Sequence, residues 1–318
     1  MTSKALRQVV IGLQADPGTG VVPDFALRAM ISLEPKVDKI VVEEDIGSFA
    51  PGRHYIGSVM PEGSLSVDGA LYEEIPHFIS MAMGIETPAG GGSPFTWTWD
   101  LPDDLANSFA LYSVEYTDGG TWVVRAIDVF STGLTISGEA TKAWKVECSL
   151  AGGETTYATA LTGTPAPLTT NGVIRMADTL CYIDALYANL GVTQMAELIS
   201  FTWKLEALQH FKQFAGSLYP NGRGNDKWQV SLEVLAEVEN AVMADLKADL
   251  LTTTQVAVRI AATSAPFSAT IDGNYFVQKV KSIEDRDGNN TVSFSLIGEK
   301  DASDNTGSVV VLSSLAAL

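Results

Sequence analysis

Hydrophobic and polar positions alternate over short runs along most of this chain, and helical spacing is rare. Leu65 and Val67 alternate with polar neighbours, and so do Val230, Leu232 and Val234. Period-two patterning predicts half-buried strands. Phe95-Thr96-Trp97-Thr98-Trp99 puts its large side chains on one face of a predicted strand. Further strands are predicted at Lys39–Asp45, Ala110–Tyr116, Trp122–Ile127, Leu134–Ile136, Ala143–Leu150, Leu180–Asp184, Leu198–Leu205, Gln255–Ala261, Tyr275–Val280, Val292–Leu296 and Val309–Leu312. Asp118-Gly119-Gly120 and Asp287-Gly288-Asn289-Asn290 read as hairpin turns. Helical spacing recurs in two places. The first helix is predicted near Ile75, with Pro76 in its first turn and Gly84 as its C-cap; the second runs around Leu235 to Leu250. The resulting fold class is mainly β: tandem sandwich or barrel units, each with one flanking helix, plus extended loops and an N-terminal arm.

Two phrases occur twice. Gly57-Ser58-Val59-Met60-Pro61-Glu62-Gly63 matches Gly216-Ser217-Leu218-Tyr219-Pro220-Asn221-Gly222. Both read as turns, because Pro fixes φ and Gly accepts positive φ. Lys145-Val146-Glu147-Cys148-Ser149-Leu150-Ala151-Gly152 matches Thr291-Val292-Ser293-Phe294-Ser295-Leu296-Ile297-Gly298. The step from Gly57 to Gly216 is similar to the step from Val146 to Val292. Two matches at similar offsets predict a duplicated unit: residues 1–160 as a first sandwich unit with an N-terminal arm, and residues 161–318 as a second with a C-terminal strand. Residues 151–172, rich in Gly, Thr, Ala and Pro, form the expected connection.

The charge narrows the list of partners. Twenty Lys and Arg stand against 38 Asp and Glu, a net charge of −18, which opposes gripping a nucleic acid or an anionic membrane. No apolar run approaches the ~20 residues that span a bilayer, and no signal peptide is apparent, so a cytoplasmic setting is expected. Cys148 and Cys181 sit in apolar patterns outside any CxxC and are expected as buried thiols.

The search for chemistry is negative. His54, His77 and His210 have no metal-ligand spacing and are assigned to surface or interface packing. Gly18-Thr19-Gly20 lacks the Lys and Ser/Thr of a phosphate loop. Gly133–Gly138 is not a nucleophile elbow. Glu43-Glu44, Glu73-Glu74 and Asp103-Asp104 read as solvated edges. Asp285–Asn289 lacks the downstream Glu of a calcium loop. No catalytic, cofactor-binding or metal-binding residue is assigned, no cofactor is expected, and the chain is read as a non-enzyme.

The first glycine phrase, the strand running into the helix at Leu71–Met83, the Gly/Pro loop after Thr87 and the Ser-Leu-Ala-Gly strand end together resemble the tail tube proteins of long-tailed bacteriophages, over roughly residues 35–300. The resemblance implies a virion tail protein assembled in the host cytoplasm. It implies self-association into rings, with a trimer of pseudo-sixfold symmetry favoured over a hexamer, and stacking of rings into a hollow tube. DNA would pass through the lumen without specific binding, and tape measure, tail tip and tail terminator proteins would be partners; no membrane is involved. Glu43, Glu44 and Asp45 are the candidate lumen-lining acids. The alternative is a monomeric β-sandwich adhesin or carbohydrate-binding module presenting Trp97 and Trp99 to sugar. Monomeric sugar binding, as opposed to ring-sized oligomers, would favour that alternative.

Overall fold

The computed structural model describes the chain except residues 1–6, 43–52, 102–109, 120–121, 164, 166–171, 196, 207–208, 221, 238–247, 253, 282, 287–288, 302 and 304–305. In residues 8–158 the strands are β1 (Gln8–Gln14), β2 (Phe25–Leu27), β3 (Met30–Val42), β4 (Arg53–Asp68), β5 (Phe95–Asp100), β6 (Leu111–Thr117), β7 (Val123–Glu139), β8 (Lys145–Ala151) and β9 (Thr155–Ala158), with helix α1 (Ile75–Met83) between β4 and β5. Then follow β10 (Thr179–Asp184), β11 (Gln194–Met195), β12 (Leu198–Glu206), β13 (Gln209–Lys212), β14 (Gly222–Asn225) and β15 (Gln229–Glu237). The last are β16 (Gln255–Ser264), β17 (Phe267–Val280), β18 (Glu284–Arg286), β19 (Asn289–Gly298) and β20 (Gly307–Ser313).

Alternation dictates these strands. In β15, Val230, Leu232, Val234 and Ala236 are buried while the residues between them are not, as a pleated strand with one face on a core requires. All pairings are antiparallel. One open sheet runs β3–β4–β8–β7–β12–β15–β19–β17. The N-terminal portions of the long strands β7 and β17 leave it for a second layer. There β7 joins β2–β1–β6 and β9, while β17 joins β11–β10–β16 and β20. The architecture is therefore mainly β and sandwich-like, and the barrel form is not adopted, because among the described residues the long sheet stays open at β3 and β17. Trp97, Trp99, Trp144, Trp203, Phe78, Phe201 and Phe294 fill the space between layers.

The pairings follow one scheme twice. β1–β2, β1–β6, β3–β4, β4–β8, β6–β7, β7–β8 and β7–β9 have counterparts in β10–β11, β10–β16, β12–β15, β15–β19, β16–β17, β17–β19 and β17–β20, in the same chain order. β5 falls outside the scheme: it lies in the first half of the sequence but pairs with β20 at the end of the chain.

Helix α1 starts and stops where its sequence indicates, with Pro in the first turn and the Gly84 N–H bonded to the Ser80 carbonyl at φ 113°. Every one of its residues is buried, so it is a core helix and not an amphipathic one on a surface. For the second predicted helix, Leu235 and Glu237 belong to β15, and residues 238–247 lie outside the described residues. Leu134–Ile136 is the C-terminal part of β7 and not a separate strand. The 151–172 connection contains β9.

The glycine phrases are not equivalent. Gly57–Gly63 lies inside β4, against β3 and at its end also against β8, whereas Gly216–Gly222 spans the loop from β13 into β14. Pairing overrides the turn preference of the first copy. Pro61 sits opposite Pro35, a pair in which neither nitrogen can donate, and the Pro61 carbonyl instead accepts from the Gly152 N–H at 2.9 Å on the β8 side. A side chain at Gly63 would collide with the Ser32 carbonyl, so close strand approach explains that glycine.

Candidate assembly surfaces

The residue-level correspondence between the halves is tightest where β7 and β17 cross between layers. On β7 the register slips between Ser131 and Gly133, opposite Leu150 and Ser149. On β17 it slips between Val277 and Lys279, opposite Leu296 and Ser295. The recurring Ser-Leu pair is thus the partner of the same bulge twice. One displacement carries Ser149 to Ser295 on the partner strand and Gly133 to Lys279 on the bulged one. A bulge bends and twists its strand, which is what lets one strand serve two layers.

Closer to the starts of β7 and β17, the β6–β7 and β16–β17 pairs each carry a cross-strand ion pair. Glu115 pairs with Arg125 across β6–β7, with Oε1 2.8 Å from Nε. Arg259 pairs with Asp272 across β16–β17 through two bonds of 2.7 Å. The two sites correspond, and the sign is reversed. The Arg259 fork is bidentate, and its charge is further favoured by the Asp272 hydrogen bonds.

β7 and β12 form the seam between the halves, with Leu134 opposite Leu205, Ile136 opposite Trp203 and Gly138 opposite Phe201. Trp203 and Ile136 are buried there. In the common scheme β12 corresponds to β3, and the C-terminal part of β7 to the end of β17. Those two counterparts are the outer edges of the long sheet. Among the described residues, β3 pairs only with β4. Because Pro35 and Pro61 form a non-hydrogen-bonded pair, the backbone groups of Leu33 and Pro35 point out of the sheet, where the Leu33 carbonyl accepts the Tyr116 hydroxyl at 2.6 Å.

Beyond residue 36, β3 and β4 continue as a two-stranded ribbon. It leaves Val37, Ile40, Val41, Tyr55 and Ile56 exposed, Val41 by 52%. Its counterpart is the β13–β14 hairpin: Gln209 opposite Asn225 and Lys212 opposite Gly222 repeat Lys39 opposite Ile56 and Val42 opposite Arg53. That hairpin is docked within the chain. Phe211 packs edge-on against Phe130, with ring centroids 4.6 Å apart, over Leu111 and Ala151, and the Val59 N–H donates to the Leu218 carbonyl at 2.8 Å.

Cys148 and Cys181 are free and buried, and burial pushes both thiols up to about 12. His77 is buried between Phe25 and Tyr112; burial lowers its pKa to about 3, so the ring is neutral. His54 and His210 are exposed, His210 bonding Asp226 at 2.8 Å. Glu73 and Glu74 are buried and not a solvated edge. Glu74 accepts the backbone N–H of Arg28 and Leu71, and burial raises its pKa; Glu73 accepts the Ser314 hydroxyl. The Gly18 N–H is held by the Asp128 carboxylate, so the Gly18–Gly20 loop already has an acidic partner. Glu43, Glu44, Asp45, Asp103 and Asp104 lie outside the described residues.

The aromatic platform is contradicted. Trp97 and Trp99 stack on each other 5.7 Å apart but are 1% exposed, and their indole N–H groups donate to the Leu315 and Gly84 carbonyls. Neither side chain is offered to sugar. Among the described residues, no group of three or more His, Cys, Asp and Glu is arranged to hold a metal ion, and no helix is long and apolar enough to cross a membrane.

Open sheet edges and an exposed apolar ribbon define a protein whose distinctive surfaces suit contact with other protein chains. The profile of the phage tail tube protein family matches residues 4–299, and the chain belongs to that family. It is a structural component of a phage tail. No curated protein matches the chain at a significant level.

Proposed function

We propose that this chain polymerises through its open sheet edges into rings that stack as the tail tube, and that DNA passes through the lumen without specific binding. The carrying observation is the β7–β12 seam, because the same two kinds of edge are paired inside the chain and open at its ends. Transferring that register puts the end of β17 of one chain against β3 of the next, with Lys281 opposite Glu34. Each such contact is head-to-tail, and three chains close a ring with pseudo-sixfold symmetry. A six-chain ring is the alternative. The glycine phrases no longer support the trimer; the repeated pairings and the shared bulge do. They also support the division into units at 1–160 and 161–318.

On this reading the protein is not an enzyme, is assembled in the host cytoplasm, and meets tape measure, tail tip and tail terminator proteins. Part of its −18 charge faces the lumen, with Glu43, Glu44 and Asp45 as candidates, so that DNA phosphates are repelled. The test is light scattering and negative-stain microscopy across a concentration series. Masses in multiples of three chains and hollow rings or tubes are expected. A protein that stays monomeric at high concentration would refute the proposal, and a six-chain ring would refute the trimer.

A further inference from the structure

We infer that the β3–β4 ribbon of one subunit clasps the β17–β19 surface around Phe276 of a second copy, repeating between chains the docking that β13–β14 makes within one. The inference rests on the ring reading and adds a second contact to the edge seam. Its basis is a set of matched positions, one filled and one open.

The filled site is Phe130, with Ala151 and the Val59 N–H beside it, covered by Phe211 and bonded to Leu218. The displacement that superposes the two bulges carries Phe130 to Phe276 and Ala151 to Ile297. These two are paired across β17–β19 as Phe130 and Ala151 are across β7–β8. The displacement that carries Leu65 of β4 to Val234 of β15, matched through their partners Cys148 and Phe294, carries Val59 to Trp228. Phe130 is fully buried beneath the hairpin, whereas Phe276, Ile297 and Trp228 keep part of their surface in solvent. The open counterpart of the hairpin is the ribbon, where Val41 stands at the position of Phe211 and His54 at that of Arg223. Val41, Ile56 and Val37 share one ribbon face, and all three are exposed. An exposed face bearing three apolar side chains and a partly exposed apolar patch, whose counterparts Phe211 and Phe130 already pack on each other, are the two halves of one contact.

The occupant is a second copy. β3 and the end of β17 are the two outer edges of the eight-strand sheet, seven strand intervals of about 4.8 Å apart, roughly 34 Å. The ribbon leaves from one edge and Phe276 lies at the other. A head-to-tail neighbour sets the ribbon edge of one chain beside the Phe276 edge of the next, which is also where the seam register places it.

The test uses the full chain carrying Val41→Cys and Phe276→Cys, treated with a short bismaleimide after assembly. Cys148 and Cys181 are buried with thiols pushed up to about 12 and do not compete. Cross-linked dimers and trimers on a denaturing gel are expected, absent from either single-cysteine variant. Rings or tubes without that cross-link, or a cross-link confined to single chains, would overturn the clasp while leaving the ring intact. Absence of both cross-link and oligomer would overturn both. In parallel, Val41→Asp should raise the concentration at which rings form at least tenfold and leave the thermal unfolding of the monomer unchanged, since Val41 is exposed there. Unchanged ring formation in that variant would also reject the clasp.

Discussion

The two halves of the chain share a pairing scheme yet meet their surroundings differently. The second half has its β12 edge closed by β7 and its hairpin packed on Phe130; the first half leaves β3 open and its ribbon exposed. At the far end the asymmetry turns around: β20 is covered by β5, while β9, its counterpart, pairs only with β7 among the described residues. The same backbone plan therefore supports a finished interface in one place and an unfinished one in another. What separates them is which edges find a strand within the chain and which side chains are left exposed.

The largest effect is expected where the halves meet. Trp203→Ala removes a fully buried indole from the seam and should cost about 3–5 kcal/mol in denaturant unfolding. Leu33→Ala, at the corresponding place on the open edge, removes less buried surface, about 2–3 kcal/mol. Equal losses would mean that the correspondence of β12 with β3 does not extend to packing.

Next come the sign-reversed ion pairs. Glu115→Gln should cost roughly 2 kcal/mol, because Arg125 is left without its carboxylate partner. The double variant Glu115→Arg with Arg125→Asp copies the polarity of Arg259 and Asp272 and should recover at least half of the loss shown by Glu115→Arg alone. A double variant no better than that single change would show that the site's polarity is set by its surroundings, such as the Thr162 contact to Glu115, and not by the pair.

A pH-dependent difference belongs to His77, which has no counterpart histidine in the second half. Its folded pKa is lowered to about 3, so the unfolded chain binds the proton more readily, and stability falls as pH drops from about 6.5 toward 3. The loss from this group is up to about 1.4 kcal/mol per pH unit in that window. His77→Leu should flatten the slope of thermal stability against pH between 6 and 4; an unchanged slope would assign it to other groups, Glu74 opposing it from the acid side. The smallest effect is at the edge pair. Glu34→Lys should leave monomer stability within about 0.5 kcal/mol. It should weaken ring formation most at low salt, and a loss independent of salt would place Lys281 elsewhere.

Much of the fold was legible because period-two patterning reports burial directly. Val230, Leu232 and Val234, the α1 caps, the buried thiols and the Ser-Leu strand ends all follow from local rules. What was hidden depends on non-local neighbours. The Gly57 phrase reads as a turn until Pro35 is placed opposite Pro61. Glu73 and Glu74 read as solvated until Ser314 and the Arg28 amide come to them from distant parts of the chain. Trp97 and Trp99 look like a ligand platform until β20 and the carbonyls of Gly84 and Leu315 cover them. Val41 is matched to Phe211 only by an offset that emerges from strand register, not from residue identity.

The crossing of β5 to β20 has a consequence for synthesis. β5 leaves the ribosome long before its partner β20. At ordinary elongation rates it then waits roughly ten to forty seconds for a strand to pair with. Until then the backbone edge of β5 that β20 covers is without that partner. β20 is thus the strand that closes this edge, and a nascent chain not yet extended through it carries an adhesive edge that the folded chain does not.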